Sequence, residues 1–552
     1  MSMRKAAPLA ALAATALALS ACAESERDDS GGGGGESGGT FTFGAAGAPE
    51  VFDPFYATDG ETFRVTRQIF EGLVEVKPGS AELGPGLAEK WEPSEDGKEW
   101  TFTLREGVTF SDGAKLDADA VCANFERMAD QNKAAQSGPA EYWSTAMGGF
   151  GEDALYDGCE AEDDMTVVLK VKSSTSKFPA MLSLSSLAIQ SPKALEEGNA
   201  NDVKTQGEGF VYPENSKKPV GSGPYTLEEY DEANKTVTLK RNDDYWGEKA
   251  KTEKIVFKII PDETTRRQEL EAGSIDGYDL PNPVDWKGLE DEGNNVEIRD
   301  PFNILYMGLN PEANPTLKDV KVRQAINHAI DREGLVKSQL PDGATAASQF
   351  MPDTVSGYNK DLEPYEHDVE KAKSLLKEAD AEGMTLQFAY PSEVSRPYMP
   401  NPQKLHEAIT NDLEEAGIKV EVTTKPWNGG YLDNVDAHRY DAFLLGWTGD
   451  YDSPDNFIGT FFGNAKLNDF STVAGGYGTE LSKELADADS TVDEDERATK
   501  YEEINTKIAE EYVPGAPISH SPPAIVVSDD VEGLTASPLT AEKFSTVTVG
   551  GK

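Results

Sequence analysis

Three carboxylates, Asp450, Asp452 and Asp455, crowd the turn DYDSPD, a cluster that suits either a hard cation or a cationic group of a ligand. Calcium chemistry fails on spacing. Pro454 falls at the fifth position of a calcium loop, the glycine on which such a loop turns is missing, and no Glu closes it. The five histidines, His328, His367, His406, His438 and His520, are scattered, and without HExxH or CxxC they form no metal-site spacing. A GxSxG match over residues 35–39 lies in a glycine-rich run, whereas a nucleophile elbow needs a strand before it and a helix after it. The 99 acidic residues offer many carboxylate pairs to a secreted hydrolase, the rival reading, yet no motif singles out two of them. Neither a catalytic residue, nor a metal, nor a cofactor is expected.

The elements that position Asp450 are legible around it. Asp450 follows Gly446, Trp447, Thr448 and Gly449 at the end of the apolar run DAFLLGW, which reads as a strand. In an α/β layer, ligands meet the carboxyl edge of the sheet. Elsewhere KIVFKII (254–260) is β-branched and aromatic and stops at Pro261, and Ile418, Val420 and Val422 alternate; both read as strands. Helical stripes recur at Val322, Ala325, Ile326, Ala329 and Ile330, at Val369, Ala372, Leu375 and Leu376, and at Tyr501, Ile504, Ile508 and Tyr512. The clearest helix has Asn401 as cap, Pro402 in its first turn, the stripe Leu405, Ile409 and Leu413, and Gly417 as its stop. It feeds the strand at Ile418, so the fold class is α/β, in more than one lobe.

Charge and the N-terminus narrow the function. With 51 Lys and Arg against 99 Asp and Glu, the 552-residue chain carries a formal charge of −48, which excludes a nucleic-acid binder held by general electrostatics. Arg4 and Lys5 precede an uncharged run from Ala6 to Leu19, shorter than the roughly 20 residues of a membrane span, so residues 1–21 read as a secretory signal. Its end, Leu19-Ser20-Ala21-Cys22, resembles the lipobox of bacterial lipoproteins, with Cys22 as the lipidated residue and the lipid as the only membrane anchor. Acidic, glycine-rich residues 22–39 read as a flexible tether. In an exported chain Cys122 and Cys159 are free to pair; a bridge is expected, two buried thiols being the alternative.

Six segments in order resemble the peptide- and nickel-binding solute receptors of bacterial ABC importers (extracellular solute-binding protein family 5). They are GLAEKWEPSEDGKEWTFTLREGVTFSDG (86–113), VGSGPYTLEEY (220–230), LKRNDDYWG (239–247), LEAGSIDG (270–277), VKVRQAINHAIDRE (320–333) and HDVEKAKSLLKEAD (367–380). SRPYMPNP (395–402) and LGWTGDYDSPDNF (445–457) resemble the dipeptide-binding branch. The resemblance implies a two-lobed periplasmic-binding-protein-like fold (type II, cluster C) with an extra inserted domain. Lobe I would comprise 40–72, 188–303 and 518–552, the inserted domain 73–187 and lobe II 304–517, with hinge strands near 303 and 517. It also implies a monomer, outside the cell membrane, that delivers short peptides to permease subunits. A nickel chelate, haem or a longer oligopeptide is the alternative within the family.

A dipeptide is a zwitterion, and each unpaired charge taken out of water costs several kcal/mol, so each end needs a fixed opposite charge. By motif position Asp450 matches the family's partner for the peptide amine, and Arg396 its partner for the carboxylate, a task suited to a planar guanidinium. Trp427 and Trp447, with Thr448 and Gly449, read as pocket wall; for each Trp plain core is an equal reading. The loop Thr58-Asp59-Gly60-Glu61-Thr62 aligns with one that touches the ligand backbone, giving Thr58, Asp59, Gly60 and Thr62 as candidates. Its two acids depart from the uncharged loop of the dipeptide branch and point toward basic side chains. Asn303 and His520, at the lobe crossings, complete the set. Split between two lobes, such contacts would favour a closed cleft.

Overall fold

Alternating apolar side chains meet across strands to build the first of three main sheets in the computed structural model, which describes residues 39–207, 209–392, 394–463 and 477–550. The secretory signal, Cys22, the GxSxG serine and nearly all of the tether lie outside the described residues. Leu239 pairs with Ile255 and Val237 with Phe257, while Phe41 and Phe43 face the same two residues from the other side. All six side chains are buried, each stabilising the sheet by roughly 1.5–3 kcal/mol. The sheet has seven strands in the order Tyr225–Asp231, Thr236–Arg241, Lys254–Ile259, Thr40–Ala45, Gly277–Asp279, Ala524–Val527 and Asn295–Ile298. Its central strands Lys254–Ile259, Thr40–Ala45 and Gly277–Asp279 are parallel.

The second sheet has six strands: Thr345–Ala346, Gly515–His520, Asn303–Leu309, Ala442–Thr448, Thr385–Ser392 and Lys419–Pro426. Thr385–Ser392 runs parallel to both Ala442–Thr448 and Lys419–Pro426. The helix Pro402–Glu415 covers it, with Leu405, Ile409 and Leu413 fully buried and Asn401 Oδ1 accepting from the Lys404 N–H at 3.1 Å. Gly417 then takes a left-handed φ of +89°, which reverses the chain into the strand. That strand lies at the sheet edge. Ile418 is buried just before it, but Val422 is 59% exposed, so alternation there marks a strand without marking a two-sided core.

A four-stranded antiparallel sheet, Ala88–Pro93, Glu99–Leu104, Thr166–Val171 and Tyr156–Asp163, packs under the helix Ala118–Ala129. Cys122 of that helix and Cys159 of the edge strand form a disulfide with Cα atoms 5.3 Å apart. Between the first two sheets the chain passes out just before Asn303 and back after His520. Gly515–His520 pairs with Asn303–Leu309 from Gly515 to Ser519, with one register irregularity, and the chain rejoins the first sheet at Ala524.

Candidate functional site

The carboxyl ends of the parallel strands from both large sheets line one cavity of about 840 Å³. From the first sheet come Ala46 after Thr40–Ala45, Glu263 and Arg266 after Lys254–Ile259, and Leu280–Pro283 after Gly277–Asp279. From the second come Arg396 and Tyr398 after Thr385–Ser392, Trp427 after Lys419–Pro426, and Gly446–Asp450 at the end of Ala442–Thr448. Strand ends are where side chains leave the ladder free to face a ligand.

Asp450 is recessed and has no cation within ion-pair distance among the described residues. Burial pushes its carboxyl up to about 6, while Asn456 and the more distant Arg67 pull the other way. The Asn456 Oδ1 accepts from the Asp450 N–H at 2.7 Å and fixes the turn. Gly449 is required on steric grounds, since a Cβ there would lie 2.3 Å from the Phe302 ring and 2.7 Å from Phe457. Arg396 is exposed, and its guanidinium lies over the Trp427 ring, 4.7 Å from the centroid. Trp427 in turn stacks on buried Tyr431, at 6.2 Å and 22°. Like Asp450, Arg396 has no ion-pair partner among the described residues.

The opposite wall is the helix Gly60–Thr66 and its surroundings. Asp59 caps that helix, accepting from the Glu61 and Thr62 N–H groups at 3.0 and 2.9 Å and from the Thr62 hydroxyl at 2.5 Å. Glu61 accepts from the Ala46 N–H at 3.0 Å and lies 3.5 Å from Arg64. Both acids thus bond the local fold while also lining the cavity. Behind them Arg64, Asp279, Arg299 and Glu542 form a buried quartet of alternating charge. Arg64 pairs with Asp279, Arg299 meets Asp279 and Glu542 at 2.7 Å each, and Glu542 lies 3.8 Å from Arg64. Burial opposes ionisation of Asp279, but Arg299 and Arg64 outweigh it and hold its carboxyl down at about 2.

Of the residues proposed from sequence, Asp450, Arg396, Trp447, Trp427, Gly449, Thr448, Asp59 and Gly60 line the cavity. Thr58, Thr62, Asn303 and His520 are not among its lining. Thr62 is buried, its hydroxyl bonded to Asp59 and accepting from the Glu50 N–H at 3.1 Å. The Asn303 amide is bonded to Ser521, and His520 Nδ1 lies 2.6 Å from the Asn303 carbonyl. Sequence reasoning missed Arg64, Arg67, Tyr142, Asp279 and the Leu280–Pro283 wall. An Asp followed three residues on by Thr, with an acid between, carried a readable helix-cap signal for Asp59.

Residues 82–469 match the family described as bacterial extracellular solute-binding proteins, family 5 Middle. The dipeptide-binding protein of Escherichia coli (strain K12) is 31% identical over 523 residues, 92% of this chain and 94% of its own. Heme-binding protein A of Haemophilus influenzae is 30% identical over 98% of both chains. The crystal structure of a dipeptide-binding protein from Pseudoalteromonas sp. SM9913 in complex with Met-Leu superposes with a TM-score of 0.74 at 27% identity, covering 93% of this chain and 100% of that one.

Proposed function

Since the chain belongs to the bacterial extracellular solute-binding proteins of family 5, we propose that it captures dipeptides or short peptides in this cavity and delivers them to the permease of an ABC importer. It is a binding protein, not an enzyme, as its relatives are. The observation that carries the peptide reading is the pairing of opposite charges in one cavity: Asp450 and Arg396 both line it, and neither has a protein counter-ion among the described residues. A zwitterion supplies both missing partners. The peptide ammonium meets Asp450 and its carboxylate meets Arg396, while Trp427 and Trp447 offer apolar area to varied side chains.

In this reading lobe I comprises 40–72, 188–303 and the C-terminal segment after the return crossing, 73–187 is an accessory domain, and lobe II carries Asp450 and Arg396. Closure brings the two walls together on the ligand, so ligand favours the closed form by its differential affinity. The protein acts as a monomer outside the membrane, tethered through lipid on Cys22.

Native mass spectrometry of protein purified without added ligand, followed by calorimetry with a dipeptide panel, tests the proposal. Retained or added dipeptide binding at one site, lost in Asp450→Ala with circular dichroism unchanged, is the expected result. The haem-binding relative motivates a parallel haem titration; a stoichiometric Soret shift with no dipeptide heat would replace the peptide reading.

A further inference from the structure

Arg67 is a recessed cation on the cavity wall with no carboxylate within ion-pair distance among the described residues; Glu542, Glu75 and Asp450 act on it only from farther away. Arg64, three residues earlier in the helix that Arg67 follows, sits against Asp279 and Glu542. Arg67 has only neutral acceptors: Nε donates to Ser185 Oγ at 2.9 Å and Nη1 to the Thr540 carbonyl at 3.1 Å. These bonds fix the guanidinium, and its face lies 6.0 Å from the Phe63 centroid. Nη2 has no acceptor among the described residues. Burial lowers the Arg67 pKa to about 10, against a weaker opposing pull from Glu542, as expected of a charge withdrawn from water without a partner.

The other charged groups on the wall are accounted for differently. Asp59 caps a helix, Glu61 is bonded to Ala46, and Arg266 donates to the Ile260 and Pro261 carbonyls at 2.8 and 3.0 Å with its guanidinium over the Tyr278 ring, 5.6 Å from the centroid. Asp450 and Arg396 are assigned to the two ends of a peptide. Phe63 and Tyr142, edge to face at 5.3 Å and both lining the cavity, supply an apolar flank next to Arg67. A short methylene stem ending in a carboxylate matches that combination.

Resting on the peptide reading above, we propose that Arg67 forms a side-chain subsite for a carboxylate, making short peptides with an acidic residue the preferred ligands. The ligand class is a zwitterion with one additional negative charge. A charge-assisted hydrogen bond to a guanidinium discriminates against the isosteric amide by about tenfold or more.

The test is calorimetry of four peptides, Glu-Ala, Gln-Ala, Ala-Glu and Ala-Gln, against wild-type protein, Arg67→Gln and Arg67→Lys. In wild type the Glu peptide should bind about tenfold tighter than its Gln counterpart in at least one register. That ratio should fall to within about threefold of unity in Arg67→Gln and stay intermediate in Arg67→Lys, which keeps the charge without the fork. Equal affinities for Glu and Gln peptides in wild type overturn the subsite alone, whether or not the variants fold. So does a preference that persists in Arg67→Gln. Failure of all four peptides to bind overturns the peptide reading and the subsite with it.

Discussion

Asn303 holds Ser521 through both ends of its side-chain amide: Nδ2 donates to the Ser521 carbonyl at 2.7 Å and Oδ1 accepts from the Ser521 N–H at 3.1 Å. The two residues are 218 apart in sequence and buried, and they sit where the chain enters and leaves the six-stranded sheet. The pair therefore ties together the two passages between the large sheets.

Removing that amide leaves a buried N–H and a buried carbonyl without partners, which costs about 1–3 kcal/mol. Asn303→Ala is expected to lower the unfolding free energy by that amount, read as a lower urea midpoint at unchanged slope. A midpoint within error of wild type would mean that the tie is not energetically significant.

Asp450 gives a stability test with the opposite sign. Its carboxyl is raised from 3.8 to about 6 by burial, so ionisation opposes folding of the ligand-free protein. The penalty is full above pH 6, shrinks as pH falls and is gone below 3.8. Asp450→Asn should therefore raise the ligand-free stability at pH 7 by on the order of 1–3 kcal/mol, with little gain at pH 4, while dipeptide affinity collapses. Thermal melts at both pH values, with and without dipeptide, measure this. A variant less stable than wild type at pH 7 would contradict it.

The same carboxyl sets the pH dependence of binding. A bound ammonium favours the ionised form, so binding below pH 6 must release a proton from Asp450. Dipeptide affinity should be highest between about pH 6 and 8, where Asp450 is ionised and the peptide α-amine is still protonated, and decline by up to about tenfold per pH unit below 6. Calorimetry in buffers of different ionisation heat reads both the affinity and the proton release. Level affinity down to pH 5 would remove Asp450 as the amine's partner.

Which of these groups sequence could show follows from how local their partners are. Asp450 was legible because an apolar strand ends just before it, and the helix after Asn401 because cap, stripe and stop all fall within one turn of their elements. Arg64, Asp279, Arg299 and Glu542 were not. Arg64 and Asp279 are 215 residues apart and Arg299 and Glu542 are 243 apart, so each charge looks like a solvated surface residue until the sheets assemble. Asn303 and His520 bond each other's passages, His520 Nδ1 lying 2.6 Å from the Asn303 carbonyl; a polar residue there can bond either a ligand or the opposite passage, and only tertiary contacts separate the two.

Arg396 depends on Trp427 for its orientation. The ring beneath the guanidinium limits its rotation and presents the planar fork to a carboxylate. Arg396→Lys should weaken dipeptide binding by about 10- to 100-fold, since two parallel hydrogen bonds become one point contact. A C-terminally amidated dipeptide should bind worse than the free acid in wild type and lose less by amidation in the variant, which keeps only one point contact. If amidation costs the same in both proteins, the carboxylate sits elsewhere.

His406 couples acid stability to the strand that delivers Arg396. It is buried on the helix Pro402–Glu415, stacked on Phe388 at 4.1 Å and near Tyr390 at 4.6 Å, with Nε2 3.1 Å from the Phe388 carbonyl. Burial lowers its pKa from 6.5 to about 4. The folded state thus resists protonation more than the unfolded chain does, and the neutral ring's contribution is complete above pH 6.5 and lost as pH falls through 4. The loss amounts to up to about 3 kcal/mol. His406→Gln, which cannot charge, should flatten the wild-type decline over that interval even if it starts from a lower stability at pH 7. Urea midpoints from pH 7 to 4 for both proteins give the difference curve directly. Parallel stability curves would show that this imidazole does not govern the acid response.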